Sequence, residues 1–258
     1  MDKSSVIGII TAIAAIIAGL LIEGGSLGQV LQPTAAMIVF GGTLGAVMLQ
    51  FPLPTVISAF KQAVQVFLSH KQDGDRALKD IVDFANKARR SGIVSLDQDL
   101  NRIQDPFLKQ AVMLAVDGTE PSELRKIMEI EIEKRAESEE RVPAIFESAG
   151  GFSPTIGIIG AVLGLIQVMQ HLDKIEEVGR GIAVAFVATI YGVGAANLIL
   201  LPSAGKLKLR IHEERVHKEM ILEGVVSIVE GMNPRMIEIK LQRVLAADKK
   251  RKAPSRAA

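Results

Sequence analysis

The sequence has no cysteine, no tryptophan and a single tyrosine in 258 residues. The lack of cysteine excludes disulfides and thiol catalysis, as expected of a mostly cytoplasmic chain. The net charge of +1 says nothing about nucleic acid, but no basic stripe with interleaved aromatic residues is present, so no nucleic-acid partner is predicted. These absences leave a thiol-free chain of nearly zero net charge, whose function must be inferred from the pattern of its residues.

Enzyme signatures are missing as well. The chain has no phosphate-binding glycine loop, no H-E-x-x-H pattern and no plausible Ser/His/Asp set. Its four histidines do not sit at metal-ligand spacing (His70, His171, His212 and His217). The sequence therefore predicts a protein that is not an enzyme, with no metal site and no cofactor.

Charged residues are absent from four long apolar segments, at 4–22, 34–51, 148–172 and 181–205. With a rise of about 1.5 Å per residue, roughly 20 helical residues cross a hydrocarbon core of about 30 Å. Mean hydropathy is +0.30 although 23% of residues are charged, so apolar and charged blocks are segregated. The first segment is too long for a signal peptide and lacks a convincing cleavage site, so we predict a membrane anchor.

Basic residues are distributed very unequally about these spans. Only Lys174 and Arg180 fall on one side, and the other twenty-eight of the thirty Lys and Arg residues fall on the opposite side. Because basic residues stay on the cytoplasmic side of short-looped membrane proteins, we predict cytoplasmic termini and outer loops at 23–33 and 173–180.

The predicted fold class is an all-α integral membrane protein, with four transmembrane helices and a helical cytoplasmic domain between spans two and three. Pro121 opens a helix that is predicted to run into span three, and span four is predicted to continue through Lys206–Glu230. The predicted segments are the transmembrane hairpin 1–52, the helical cytoplasmic domain 53–147, the transmembrane hairpin 148–205, the cytoplasmic C-terminal helices 206–246 and the basic disordered tail 247–258.

Small residues recur at four-residue spacing in the spans, which permits close helix approach. Two interpretations remain open on spacing alone: packing within one subunit, or a tightly packed oligomer that encloses another helix. The residues concerned are Gly41 and Gly45, Gly160 and Gly164, and Ala188, Gly192 and Ala196.

Polar and helix-breaking residues mark spans three and four. Pro154 and Pro202 lie near the inner ends of these spans, where proline either kinks a membrane helix or forms its boundary. Thr189 in span four is expected to bond its own i−4 carbonyl. No Asp, Glu, Lys or Arg lies within the spans, so a titrating carboxylate for proton movement must come from another protein.

Several motifs together resemble one family: ARRSGIVSLDQDL (88–100), FLKQAVMLAVDG (107–118), GFSPTIGIIGAVLGLI (151–166), AFVATIYG (185–192) and GMNPRMIEIKL (231–241). The chain resembles the A subunit of the flagellar motor stator, of MotA or PomA type, which is kin to the ExbB/TolQ energisers. The resemblance implies a homopentamer around a dimer of a MotB-type subunit, which supplies an intramembrane aspartate and a peptidoglycan-binding domain. It also implies a place in the bacterial inner membrane.

The resemblance also implies roles for individual residues. Arg89 and Asp97 match charged positions that engage the FliG-type rotor protein of the C-ring, and Arg90 and Asp99 are weaker matches. Asp97 departs from the usual glutamate but keeps its charge. Pro154 and Pro202 match two functional prolines that look like hinge or pathway elements, and Thr189 matches a threonine near the ion path.

One departure from the family pattern concerns the coupling ion. Sodium-driven relatives carry a threonine seven residues after the span-three proline, and Ala161 stands there in this chain. Because a methyl group offers no oxygen to replace the hydration shell of Na⁺, we predict proton coupling. The alternatives are an ExbB/TolQ-like energiser of an envelope system and a membrane scaffold without ion coupling. The two-span hairpin before the large cytoplasmic segment favours the stator over the energiser.

Overall fold

The structure, a computed structural model, describes residues 3–67 and 74–252. The described backbone is helical apart from short connections, which agrees with the predicted fold class. The helices are α1 (Lys3–Ile22), α2 (Leu27–Val30), α3 (Pro33–Ala36), α4 (Gly42–Gln50), α5 (Leu53–Phe67), α6 (Gly74–Ser91), α7 (Pro106–Val116), α8 (Pro121–Gln170), α9 (Ile175–Gly194), α10 (Leu201–Val229) and α11 (Pro234–Lys252). Residues 68–73, which include His70, and residues 253–258 lie outside the described part.

Four helical segments are long and apolar enough to cross a membrane, at Ser4–Ile22, Leu27–Gln50, Pro121–Gln170 and Ile175–Val229. Each of them overlaps one of the predicted spans, although the second and third segments end at Gln50 and Gln170, before the predicted ends at 51 and 172. The chain divides into two compact units, of which the first comprises Met1–Ser69 and Glu139–Leu209 and so contains all four apolar stretches. The second comprises His70–Ser138 and Arg210–Ala258.

Two of the apolar segments contain a turn of π-helix, which the sequence did not predict. One π turn covers Met37–Gly41 and leads into α4, and the other covers Ala195–Leu200 and leads into α10. The second ends directly before Leu201 and Pro202. A proline ring clashes with the carbonyl four residues earlier, and the wider π turn relieves this clash. Pro202 therefore lies in the first turn of α10 without interrupting the helical path.

The core of the first unit contains a cluster in which α5 takes part. Val56 and Ala59 of α5 are buried with Val47 of α4 and with residues of α8 and α10 (Val142, Ile145, Phe146, Ala149, Ala204 and Leu207). The predicted boundary placed residues from 53 onward in the cytoplasmic domain. In the structure α5 falls in the first compact unit, where its apolar face packs against this cluster, and the cytoplasmic position of these residues stays a prediction.

The second unit has its own apolar core. Ile81 of α6, Leu108 of α7 and Leu124 of α8 are almost fully buried there with Ile221 of α10 and Leu241 of α11. A 3-10 helix, Ile93–Asp99, links α6 to the α7 region and buries Leu96 in the same core.

Helix ends differ from the predicted boundaries in two places. The helix α9 begins at Ile175, inside the outer loop predicted at 173–180, because Glu176 and Glu177 in its first turn suit the positive end of the helix dipole. The helix α11 continues to Lys252, six residues into the segment predicted as a disordered tail. Ala, Lys and Arg are favourable helix formers, which explains the extension.

Candidate functional site

Spans three and four meet at backbone contact. A Cβ atom on Gly157 would lie 2.9 Å from the carbonyl oxygen of Ala188, and one on Gly164 would lie 2.7 Å from that of Gly181. A Cβ on Gly192 would lie 2.5 Å from the carbonyl oxygen of Ser153. These distances leave no room for a side chain, so glycine is required on both helices at this crossing.

The predicted small-residue positions divide into two groups. Gly160 and Gly164 of α8 and Gly192 of α9 lie in the crossing of spans three and four within this chain. For Gly41 and Gly45, no described atom lies within 4 Å of an added Cβ. Gly42 is the residue of that segment that meets span three, because its added Cβ would lie 2.8 Å from Ile156 Cγ2.

The start of span three is fixed to span four by a buried hydrogen bond. The hydroxyl of Ser153, 1% exposed, donates to the carbonyl oxygen of Gly192 over 3.0 Å. Pro154 follows directly and lies inside the continuous helix α8, so it is neither a helix start nor a helix end. An added Cβ on Gly192 would lie 3.2 Å from Pro154 Cα, which places this proline in the crossing.

Ala161 and Thr189 lie on the same two helices and are half-buried. The Thr189 hydroxyl donates to the carbonyl oxygen of Ala185, its own i−4 residue, over 3.2 Å. This bond leaves the lone pairs of the Thr189 oxygen available as acceptors. In span two, by contrast with Thr189, the Oγ1 atom of Thr43 is buried and has no hydrogen-bond partner among the described residues.

Tyr191 joins span four to the connection between the first two spans. Its hydroxyl donates to the carbonyl oxygen of Val30 over 2.6 Å and accepts from the backbone N–H of Gln32 over 3.3 Å. Its ring is stacked on Phe40 with centroids 5.9 Å apart. A tyrosine inside an apolar span signals a polar partner nearby, and this signal could have identified Tyr191 from the sequence.

The four residues predicted to face the rotor fall into two classes. Arg89, Arg90 and Asp97 are exposed and make no ion pair or side-chain hydrogen bond with the described residues. Asp99 is different, because its Oδ2 lies 2.6 Å from Lys87 Nζ and its side chain is only 18% exposed. Arg89, Arg90 and Asp97 are thus exposed charges without a partner among the described residues, and Asp99 belongs to an ion pair with Lys87.

The turn that carries these charges has a defined geometry. Gly92 ends α6 with φ of 80°, a left-handed conformation that glycine adopts without strain. Its carbonyl oxygen accepts a hydrogen bond from the Ser95 hydroxyl over 2.6 Å. Leu96, 1% exposed, anchors the following 3-10 helix in the core. Arg89 and Arg90 in the last turn of α6 suit the negative end of its dipole.

A network of charges ties the helices of the second unit together. Glu223 of α10 accepts from Arg125 of α8 over 2.9 Å and pairs with Lys240 of α11. Burial alone would raise the pKa of Glu223, but the hydrogen bonds and charges of Lys240 and Arg125 outweigh it and lower the pKa below its ordinary value. The carboxylate therefore stays ionised and keeps three helices joined.

The chain matches two known protein families and several of their members. Residues 6–92 match the N-terminal family of motility protein A, and residues 99–220 match the MotA/TolQ/ExbB proton channel family. Motility protein A of Bacillus subtilis (strain 168) is 35% identical over 252 residues, covering 96% of this chain and 92% of that relative. Chemotaxis protein PomA of Vibrio alginolyticus is 29% identical over 250 residues, covering 97% and 98% of the two chains.

Solved structures agree over nearly the whole length. The structure of C. jejuni MotAB gives a TM-score of 0.91 at 31% identity and covers 98% of this chain and 100% of that one. The flagellar MotAB stator complex from Bacillus subtilis gives 0.89 at 36% identity, with 97% and 99% covered.

Fold and comparisons define a class: a multi-pass, all-helical membrane protein of an ion-channel type, and not an enzyme. Within that class, the chain belongs to the MotA/TolQ/ExbB proton channel family and, inside it, to the stator subunits of the flagellar motor. The match of residues 6–92 to motility protein A favours the stator over the ExbB/TolQ-like alternative.

Proposed function

We propose that five copies of this chain surround a dimer of a MotB-type subunit in the bacterial inner membrane and convert proton flow into torque on a FliG-type rotor protein. The observation that carries this proposal is the absence of any Asp, Glu, Lys or Arg from the four spans. A chain of the proton channel family without its own intramembrane carboxylate needs a second protein to supply one.

The similar solved structures support a B-type partner. Both are named as MotAB, and one is described as the flagellar stator complex. Each A chain matches this chain almost end to end, so the surfaces that this chain offers to neighbours follow the same backbone. Gly41 and Gly45, where an added Cβ would meet no described atom within 4 Å, are the positions in span two where a neighbouring copy can approach closely.

In the proposed ion path, spans three and four face the aspartate of the partner. Pro154, Ala161 and Thr189 lie on these helices, and Pro202 follows the π turn of span four. Protonation of the partner's aspartate removes its charge and lets the ring of A subunits step around it. Ala161 adds no oxygen ligand, so the path favours protons over Na⁺, whose hydration shell must be replaced by oxygen atoms.

The proposed rotor surface consists of Arg89, Arg90 and Asp97. These three side chains are exposed and unpaired among the described residues, so their charge is available to a partner. Asp99 supports this surface indirectly, because its ion pair with Lys87 joins the 3-10 helix to α6.

Orientation follows from charge. In the predicted topology twenty-eight of the thirty basic residues lie on the side of both termini, which supports a cytoplasmic position for this side, facing the rotor. Only the two short connections would then face outward.

The test is mass spectrometry of the detergent-purified complex isolated through this chain, with its stoichiometry measured on the intact assembly. We expect five copies with two copies of a single-span partner that has an intramembrane aspartate and a peptidoglycan-binding domain. A short partner without that domain would move the protein to the ExbB/TolQ branch. The chain alone would contradict the proposal.

A further inference from the structure

A groove of about 270 Å³ lies between span one and span four, inside the compact unit that contains all four apolar stretches. The wall on span four begins in the π turn and continues into the first residues of α10. The residues that line the groove are Ser5, Gly8, Ile9 and Ala12 on span one, and Asn197, Leu198, Pro202, Ser203 and Lys206 on span four. We call this space the span-one groove.

The span-one groove stays open because span one packs loosely against the rest of the chain. No residue of the apolar stretch Ser4–Ile22 is buried. An added Cβ on Gly8 would meet no described atom within 4 Å, so this glycine does not serve close helix packing within the chain. Since the groove is formed by two apolar segments of a multi-pass membrane protein, the medium around it is the bilayer.

The polar residues and the apolar residues of the groove are separated along its length. Ser5 and Lys206 lie at the same end, because a chain that crosses four times begins span one and ends span four on one side. At about 1.5 Å per residue, Ala12 lies about 10 Å deeper than Ser5, and Leu198 lies about 12 Å deeper than Lys206. At the apolar end, the amide of Asn197 donates to the i−4 carbonyl oxygen of its own helix over 3.0 Å. The groove therefore offers a cation at the membrane boundary and apolar surface at depth.

We propose that the span-one groove binds a phospholipid from the leaflet on the side of the two termini. One acyl chain lies between span one and span four, and the phosphate contacts Lys206. This inference rests on the membrane location of the spans and does not depend on the stator assembly. Basic pockets between membrane helices are sites where lipid headgroups bind. The half-buried Lys206 has three N–H donors, so it can bond a phosphate oxygen in addition to a protein acceptor.

Charge complementarity favours a lipid over a second copy of this chain as the occupant. The four predicted spans contain no Asp or Glu, so a span of a neighbouring copy brings no carboxylate to Lys206. A phospholipid brings a phosphate and an acyl chain in the same order in which the groove presents its cation and its apolar wall. Water fits the apolar end poorly, because a buried water needs two to four polar partners.

Photolabelling of the purified complex in lipid nanodiscs tests the proposal. The probe is a phosphatidylglycerol with a diazirine in one acyl chain, and labelled peptides are identified by mass spectrometry. Gly8→Leu places a side chain in the groove, and Gly19→Leu is the matched control. Gly19 lies on the same helix, has no described atom within 4 Å of an added Cβ, and does not line the groove. We expect Gly8→Leu to reduce labelling of residues 9–12 and 197–198 several-fold, and Gly19→Leu to leave it at the wild-type level.

A second pair of variants tests the phosphate contact. Lys206→Gln removes the charge and should reduce labelling by the same probe several-fold, whereas Lys206→Arg should retain it. A diacylglycerol with the same diazirine, which has the acyl chains without the phosphate, should label the wild-type groove weakly. Size-exclusion chromatography of each variant shows that the assembled complex is compared throughout.

The other outcomes contradict the proposal. Equal labelling of Gly8→Leu and wild type, or an equal loss in Gly8→Leu and Gly19→Leu, would mean that the probe reports the general lipid shell. Unchanged labelling of Lys206→Gln would overturn the phosphate contact. A photoreactive phenylalanine analogue at position 8 that crosslinks to a second copy of this chain, and not to lipid, would make the groove a contact between subunits.

Discussion

Asp105 and His217 form a partly buried pair that joins two helices of the second unit. The Oδ2 atom of Asp105 lies 3.0 Å from Nε2 of His217 in α10, and the His217 side chain is 11% exposed. Asp105 also caps α7, because its Oδ1 accepts from the backbone N–H groups of Phe107 and Leu108 over 2.8 and 3.1 Å. One carboxylate therefore holds both the start of α7 and its contact with α10.

The stability of the folded chain should depend on pH through Asp105. Burial raises the pKa of this carboxyl, but bonds from His217 and the two backbone N–H groups outweigh it and hold the pKa below its ordinary value of 3.8. The ionised form thus stabilises the fold above 3.8, and this contribution is lost as pH falls through the lower folded value.

Asp105→Asn keeps a capping oxygen but cannot ionise. We expect it to cost about 1 kcal/mol at neutral pH, with the difference from wild type shrinking at pH values below 3.8. Denaturant unfolding followed by circular dichroism measures this difference. Asp105→Ala, which also removes the cap, should cost about 1 kcal/mol more than Asp105→Asn at neutral pH. A pH-independent difference for Asp105→Asn would contradict the pairing.

Glycine is required where spans three and four cross. We expect Gly192→Ala to force the helices apart, because its Cβ would lie 2.5 Å from the Ser153 carbonyl oxygen, and to reduce the yield of assembled complex. Gly194→Ala is the matched control, since no described atom lies within 4 Å of its added Cβ. Size-exclusion chromatography of both variants measures assembly. Equal yields would show that the crossing adjusts without cost.

Charge reversal should reveal the rotor surface. Neutralising Arg89 or Asp97 singly should weaken torque slightly, because exposed ion pairs are worth about 0–1 kcal/mol each. Reversal by Arg89→Glu should reduce torque further, and the loss should lessen at high salt in vitro. Lys126→Glu, at a side chain 70% exposed on α8, controls for charge alone. Wild-type swimming of a strain with Arg89→Glu and Asp97→Lys together would refute the assignment.

Pro154 should be needed for rotation and dispensable for assembly. We expect Pro154→Ala to stop motility while the complex is purified in normal amounts, because the proline lies in the crossing near Gly192 without ending α8. Pro143→Ala provides a control with the same change in the same helix. Tethered-cell rotation and complex yield are the two measurements. If Pro154→Ala loses the complex, the proline is structural.

The coupling ion can be tested by physiology. With Ala161 in place of an oxygen-bearing side chain, swimming speed should follow the proton-motive force and ignore external sodium. Speed is measured over a series of sodium concentrations with the proton-motive force held constant. A speed that rises with sodium under these conditions would show sodium coupling.

The four spans were predictable because a stretch of about 20 residues without any charged residue is a strong signal for a membrane helix. Helix ends were less so: α9 starts at Ile175, among charged residues, because a helix can extend past the hydrocarbon core. The π turn at Ala195–Leu200 left no pattern in the sequence except the proline that follows it.

The candidate site was predictable in part. The spacing Gly41-x-x-x-Gly45 indicated close packing, yet Gly42 is the residue that meets Ile156 within the chain. A spacing rule cannot tell which side of a helix faces its own chain and which faces another. Likewise Asp99 looked like Asp97 in sequence, and only the fold shows that Lys87 pairs with it.

Tyr191 has a practical consequence for spectroscopy. It is the one tyrosine of a chain without tryptophan, so the ultraviolet emission of the purified chain comes almost entirely from one ring. That ring lies on Phe40 and its hydroxyl is bonded to Val30. Separation of span four from the first hairpin would therefore change the emission directly. The chain carries its own unlabelled reporter for movement of these helices.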